Sequence, residues 1–170
     1  MGSKVVGVDA SSLYPEEVTS LTQVGYYRNV GAEGILSLAP DLIIATDAAG
    51  PPAVIEQLRA SGIPIAILSS AHSLEGAQKR IEQIAQLLDK EKEGHLLVWG
   101  MQDQLKMMYK PKNPPKVLFI YARGAGTQNV SGTETAANAM IHLAGGINAV
   151  TEYTGYKPMN AEALIAAAPD

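Results

Sequence analysis

The segment VGYYRNVGAEG (24–34) places two tyrosines next to an arginine between glycines. In an extended strand, residues two apart share a face, which predicts Tyr26 and Arg28 on one side and Tyr27 on the other. An arginine beside a phenol favours the phenolate, which lowers the cost of using that oxygen as a metal ligand. The same guanidinium suits a bidentate contact with a carboxylate.

A hard anionic oxygen beside a fixed cation suits ferric haem, for which tyrosine is a known axial ligand. The spacing also fits a second interpretation, namely an interface tyrosine beside a surface arginine. The residues alone leave both interpretations open.

Alternating strand and helix segments must position these side chains. Short apolar runs bounded by turn-forming residues predict strands at 4–9, 41–46, 63–69, 116–121 and 147–150. Apolar spacings of three and four, first-turn prolines and terminal glycines predict helices at 14–21, 33–38, 51–62, 73–90, 90–109 and 135–146. This alternation favours parallel α/β sheets over a sandwich.

Two of these helices have clear apolar faces. The expected buried residues are Leu74, Ala77, Ile81, Ile84, Ala85 and Leu88 in the first, and Leu97, Met101, Leu105 and Met108 in the second. The segment KPKNPP (110–115) ends the second helix because its three prolines cannot continue it.

Composition excludes several function classes. The chain has 170 residues, of which 46% are apolar and 18% charged, as expected for a globular protein. Its net charge of −4 argues against a nucleic-acid partner. The absence of cysteine excludes disulfides and thiolate metal sites. No paired catalytic carboxylates or nucleophile arrangement stands out, so an enzyme is not expected.

An internal repeat predicts the domain organisation. The phrase EGILSLAPD (33–41) returns as EALIAAAPD (162–170), and the match extends back to Gly25 in one copy and Gly155 in the other. It predicts two Rossmann-like lobes with parallel sheets joined by a long helix, at 4–89, 90–110 and 111–170. Such duplicated lobes are typical of proteins with a binding cleft.

Each copy of the repeat lacks elements that the other has, so both lobes are predicted to be incomplete and the sequence to be part of a longer chain. Unfinished sheets have unpaired strand edges, which predicts self-association.

The segments VVGVDASSLYPEEV, VGYYRNVGAEGILSLAPDLIIATDAAGPP and GTETAANAMIHLAGGINAV resemble the haem-binding substrate-binding proteins of bacterial haem-uptake ABC transporters. The resemblance covers nearly the whole chain and is most specific in VGYxR and DAAGPP. It implies a non-enzymatic protein that binds haem and delivers it to an importer. It also implies a periplasmic location, or a lipid anchor on the outer face of the cell membrane.

The resemblance also assigns roles to residues. It implies that Tyr26 is the axial ligand of the haem iron and that Arg28 helps to hold the haem. Glu33 and Glu162, at matching places in the repeat, are implied to dock on arginines of the permease. A carboxylate at a helix start also stabilises the helix dipole, which is the structural alternative for each.

The remaining haem-contacting candidates are Tyr27, Arg123 and Tyr156. Arg123 lies in the loop ARGAGTQN, where some family members have a second, histidine ligand. It would face a propionate, or else be a solvent-exposed loop residue. Tyr156 is the repeat partner of Tyr26, and simple packing is its alternative role.

Two other functions remain open at this point. A ferric siderophore or a cobalamin is the alternative ligand for the same fold, and neither needs a tyrosine ligand. A nucleotide-binding α/β enzyme is the alternative from another class, although the loop GAGTQN lacks the lysine and third glycine of nucleotide motifs.

Overall fold

The structure is a computed structural model that describes residues 2–122, 128–158 and 161–170. The chain divides into two compact units, residues 1–70 and 71–170. The division falls before the helix at 74–87, whereas the sequence assigned residues through 89 to the first lobe. That helix packs along the next one, which explains its place in the second unit. The lobe limits themselves stay a prediction.

The first unit is a mixed α/β structure. In chain order it contains β1 (Gly7–Val8), β2 (Thr22–Gln23), β3 (Gly25–Tyr26), β4 (Asn29–Val30), α1 (Ala32–Leu36), β5 (Ile43–Thr46), α2 (Pro52–Ala60) and β6 (Ile65–Leu68). Short 3₁₀ helices occupy Gly2–Lys4 and Glu16–Ser20. β1 pairs with β2 and β5 with β6, both in parallel, whereas β3 and β4 form an antiparallel hairpin.

The second unit contains α3 (Leu74–Leu87), α4 (Glu91–Lys106), β7 (Lys116–Val117), β8 (Ile120–Tyr121), β9 (Asn129–Ser131), α5 (Ala136–Leu143), β10 (Ile147–Asn148), β11 (Tyr156–Pro158) and α6 (Ala161–Ala167). β7 pairs in parallel with β10. β8, β9 and β11 form an antiparallel sheet with β9 in the middle.

The predicted α/β class with parallel pairing is confirmed, and the differences are local. The strand expected at 4–9 is limited to β1, and the helix expected at 14–21 is a 3₁₀ helix. The strand expected at 116–121 is divided between β7 and β8, which belong to different sheets. The antiparallel sheet of the second unit has no counterpart in the sequence prediction, because neither β9 nor β11 was predicted as a strand and their pairing joins segments far apart in the chain.

A buried polar network supports the start of α5. Thr135 is the N-cap residue, and its hydroxyl accepts a hydrogen bond from the Asn138 amide at 3.0 Å. Its Oγ1 lies 2.6 Å from the Ser131 hydroxyl. The Asn148 side chain donates to the carbonyl oxygen of Gly132 at 3.1 Å and accepts from the Val150 amide at 3.1 Å. The network satisfies polar groups that would be costly to bury unpaired.

The α3–α4 contact corrects one predicted face. The apolar face predicted for α3 is confirmed, since none of its residues is exposed. The predicted face of α4 is wrong at Leu97, which is 64% exposed, and at Met108, which is 40% exposed and lies beyond the end of the helix. The buried residues of α4 are Gly94 and Val98. The reason is a close backbone approach, since a Cβ at Gly94 would overlap the Cβ of Ala85 on α3.

This close approach predicts opposite effects for two glycines of α4. Gly94→Ala should destabilise the second unit by about 1–3 kcal/mol, because the added methyl overpacks the α3 contact. Gly100→Ala is the matched control: a Cβ there meets nothing within 4 Å. It should stabilise the helix by about 0.5–1 kcal/mol. Urea unfolding followed by circular dichroism measures both, and equal shifts of the midpoint would contradict the packing of α3 on α4.

Candidate functional site

The tyrosine–arginine segment forms a tight hairpin. Tyr26 in β3 is paired with Asn29 in β4, so Tyr27 and Arg28 form the two-residue loop. The hairpin is preceded by Gly25, whose φ of +101° is a backbone conformation that side chains disfavour. Tyr26 is 49% exposed on this hairpin.

The expectation of one extended strand through this segment is therefore wrong. The chain reverses at Tyr27 and Arg28, so the alternation of faces does not continue from Tyr26 to Arg28. The contacts of the Arg28 side chain are instead with Tyr27. Its Nε donates a hydrogen bond to the Tyr27 hydroxyl at 3.0 Å, and its guanidinium carbon lies 5.4 Å from the centre of the Tyr27 ring.

The two phenols also contact each other. The ring centres of Tyr26 and Tyr27 are 4.6 Å apart with an angle of 58° between the planes. A hydrogen bond with the Tyr26 side chain lowers the pKa of Tyr27, and the hydrogen bond and charge of Arg28 lower it further. Partial burial and the charge of Asp9 oppose this shift. The segment thus combines two phenol oxygens with one cation.

Backbone hydrogen bonds fix the hairpin to two other loops. The amide of Gly50, in the segment DAAGPP, donates to the carbonyl of Tyr27 at 3.0 Å, and its carbonyl accepts from the amide of Val30 at 3.0 Å. The carbonyl of Gly25 accepts from the amide of Ala10, in the loop after β1, at 2.8 Å. The site residues are therefore held by main-chain contacts from both sides.

The loop after β1 carries a carboxylate near the hairpin. Asp9 accepts hydrogen bonds from the Ser11 amide at 2.8 Å and the Ser12 hydroxyl at 2.7 Å, and it also contacts the Ser11 hydroxyl. Burial acts to raise the pKa of Asp9, but the hydrogen bonds from the two serines outweigh it and lower the pKa. The carboxylate is thus kept ionised and engaged within its own loop.

The second unit repeats the glycine–tyrosine pair. Gly155 has a φ of +78°, and Tyr156 follows it at 46% exposure, close to the value for Tyr26. Tyr156 contacts Tyr121, with ring centres 5.9 Å apart and an angle of 53° between the planes. Each unit therefore has two tyrosines in ring contact, one of which directly follows a glycine with positive φ.

The other predicted site residues fall as follows. Glu33 and Glu162 are exposed in the first turns of α1 and α6, one in each unit. The short helix expected from Glu33 is confirmed as α1. Arg123 lies outside the described residues.

Sequence reasoning missed three residues of these loops. Gly50 was part of the DAAGPP resemblance, but nothing in the sequence showed that its backbone amide and carbonyl form hydrogen bonds with the hairpin. Asp9 and Tyr121 are each the last residue of a predicted strand, and binding residues often lie in the loops that follow strands. That position was the available signal for both.

The donor atoms of the site are hard oxygens. Within residues 2–122, 128–158 and 161–170, no group of three or more histidine, aspartate or glutamate side chains is arranged to hold a metal ion. Over the same residues, no helix has the length and apolar character needed to cross a membrane.

Each unit is an α/β structure that contains two tyrosines in ring contact. The sequence pattern of the periplasmic binding protein family matches residues 2–170, and the chain belongs to that family.

Three relatives show how the chain is placed within it. A periplasmic haem-binding protein of Roseiflexus sp. RS-1, solved in its apo form, is 43% identical with a TM-score of 0.91, and the match covers 99% of this chain and 67% of that one. An uncharacterised ABC transporter substrate-binding lipoprotein of Bacillus subtilis is 32% identical over all of this chain and 56% of its own length. A vitamin B12-binding protein of Vibrio campbellii is 34% identical over 71% of this chain and 44% of its own. The chain thus spans about half the length of these curated relatives.

The positive φ at the start of the hairpin predicts a sensitive position. Gly25→Ala should destabilise the first unit by about 1–3 kcal/mol, because a Cβ is strained at this φ. That Cβ would also lie 3.3 Å from the Asn29 carbonyl oxygen. Gly34→Ala is the control, since Gly34 lies inside α1 and a Cβ there meets nothing within 4 Å. Thermal unfolding of both variants tests this, and equal losses would contradict the hairpin geometry.

Proposed function

We propose that the protein binds haem and delivers it to an ABC-type importer, with Tyr26 as the axial ligand of the ferric iron. The observation that carries the proposal is the half-exposed Tyr26, which lies on a hairpin whose two-residue loop is Tyr27 and Arg28. A phenolate is a hard donor that stabilises ferric iron, and tyrosine ligation of haem has precedent.

The resemblance to haem-binding relatives supports the same ligand. The haem-binding protein of Roseiflexus shares 43% identity over 99% of the chain, whereas two vitamin B12-binding relatives share 34% over 71% and 29% over 87%. Arg28 then contacts the haem carboxylates, since a guanidinium binds a carboxylate through two parallel hydrogen bonds. Tyr27 and Tyr156 are the further haem-contacting residues of the described chain, and Arg123 retains that role as a prediction.

Cobalamin is the second candidate ligand. The observation that favours it is the 34% identity to the vitamin B12-binding protein of Vibrio campbellii. The tyrosine–arginine hairpin argues against it, because cobalamin binding does not need a phenolate. A ferric siderophore is the third candidate and makes no use of Tyr26 as an iron ligand either.

Delivery requires a membrane partner, and the exposed glutamates are proposed to contact it. Glu33 and Glu162 lie at equivalent places in the two units, and a permease with arginines at matching positions would complement both. The protein then acts outside the cytoplasmic membrane, in the periplasm or on a lipid anchor. Self-association through strand edges remains a prediction alongside this role.

A hemin titration tests the ligand and the role of Tyr26. The protein should give a saturable change in the visible spectrum with a phenolate-to-iron charge-transfer band, and Tyr26→Phe should lose that band. The control is Tyr109→Phe, which removes the hydroxyl of a tyrosine that is 80% exposed, and it should leave the spectrum unchanged. An unchanged band in Tyr26→Phe would remove Tyr26 from the site. Saturable binding of cyanocobalamin with no hemin response would establish the alternative ligand.

Transporter reconstitution tests the two glutamates. Glu33→Gln combined with Glu162→Gln should slow association with the transporter on the order of tenfold at low salt, because such charges mainly set orientation and on-rate. Glu75→Gln is the control, since Glu75 is also exposed in the first turn of a helix, α3. Association is measured with the hemin-loaded protein and transporter in vesicles. An equal effect of the control would indicate general charge attraction instead of docking.

A further inference from the structure

The guanidinium of Arg28 is held by a neutral group. Its Nε donates to the Tyr27 hydroxyl at 3.0 Å, and the side chain is exposed. The ion pairs among the described residues join Glu56 to Arg59 and Lys90 to Glu93, and neither includes Arg28. The positive charge of Arg28 is therefore oriented without being neutralised by a carboxylate of the described chain.

The choice of nitrogen determines which donors stay available. A guanidinium has five N–H donors in a fixed plane, and the bond to Tyr27 uses the one on Nε. The two terminal amino groups lie at the far end of the plane and match the two oxygens of a carboxylate. Arginine also carries large rotamer entropy, so fixing its orientation before binding reduces the cost of binding.

Tyr27 is itself restrained at its ring and at its backbone. Its ring contacts that of Tyr26 at 4.6 Å, its carbonyl accepts from Gly50 at 3.0 Å, and the backbone turns at the next residue. The backbone contacts hold the main chain of Tyr27, and the ring contact and the side-chain hydrogen bond with Tyr26 limit the movement of the phenol. An oxygen fixed in this way can define the direction of the guanidinium that it binds.

We propose that Tyr27 is a positioning residue, whose hydroxyl occupies the Nε of Arg28 and so directs the terminal amino groups towards a carboxylate of the ligand. The proposal rests on the proposed function, because haem supplies such groups as its two propionates. It assigns to Tyr27 a role distinct from that of Tyr26. Tyr26 acts on the iron, whereas Tyr27 acts through Arg28 on the periphery of the porphyrin.

Two porphyrins that differ only at the carboxylates test this role. Hemin and hemin dimethyl ester are titrated into the protein, Tyr27→Phe, Arg28→Gln and the double variant in the same mild detergent. Tyr27→Phe should weaken hemin binding by roughly three- to tenfold, because it removes a hydrogen bond to a charged group and keeps the ring. Binding of the ester should be the same for the protein and Tyr27→Phe. The double variant should bind hemin no more weakly than Arg28→Gln alone.

Two results would overturn the role of Tyr27. An equal loss for hemin and its ester would indicate that the phenol supports the hairpin or the iron, and additive losses in the double variant would show that it acts independently of Arg28. The charge-transfer band is recorded throughout, since a positioning role at the propionates leaves it in place in Tyr27→Phe.

A ligand-free measurement separates this inference from the haem proposal. The Nε–H resonance of Arg28, assigned in ¹⁵N spectra by its loss in Arg28→Gln, should exchange with water more slowly in the protein than in Tyr27→Phe. Tyr14→Phe is the control, because that residue is 92% exposed. Equal exchange in the protein and Tyr27→Phe would overturn the positioning role. If neither porphyrin binds any variant, the haem proposal fails, whereas a Tyr27-dependent Nε–H signal would still support the orientation of Arg28.

Discussion

The candidate site depends on the backbone amide and carbonyl of Gly50. The amide donates to the carbonyl of Tyr27 and the carbonyl accepts from the amide of Val30, so both sides of the hairpin loop are joined to one buried residue. Because these bonds are made by the backbone, they hold the loop regardless of the side chains that it carries. Helix α2 begins two residues later and contains Leu58, which is only 1% exposed. The loop of the hairpin is thereby connected to the core of the first unit.

The two units reach a similar local geometry through different pairings. In the first, the tyrosine after a positive-φ glycine pairs within a hairpin, Tyr26 with Asn29. In the second, Tyr156 pairs with Ser131, a residue 25 positions earlier in the chain. The glycine before each tyrosine nevertheless has a positive φ in both units. The repeat therefore preserves this backbone conformation, whereas the strand that pairs with each tyrosine differs. A glycine at that place lets each unit present a half-exposed phenol without strain.

Local signals in the sequence determine how much of this structure is predictable. Strands β5 and β6 follow from apolar runs between turn residues, and α3 follows from its spacing of apolar residues. The hairpin was not predicted because Tyr27 and Arg28 are not the Asn-Gly or Asp-Gly pair that is typical of a two-residue loop. The face of α4 was not predicted because the close approach of Gly94 to α3 is a tertiary contact. The pairing of β9 with β11 likewise depends on residues remote in the chain, which no local pattern specifies.

The turn at Tyr27 and Arg28 changes how charge supports the candidate ligand oxygen. In an extended strand, Arg28 would act directly on Tyr26, whereas in the hairpin its hydrogen bond goes to Tyr27 and the two phenols contact each other. The cation therefore affects Tyr26 mainly through the intervening phenol, and its terminal amino groups stay available for a ligand. This separates two tasks that a single arginine could not perform equally well, namely stabilising a metal-bound oxygen and binding a carboxylate. A ligand that combines a hard metal centre with peripheral carboxylates would use both.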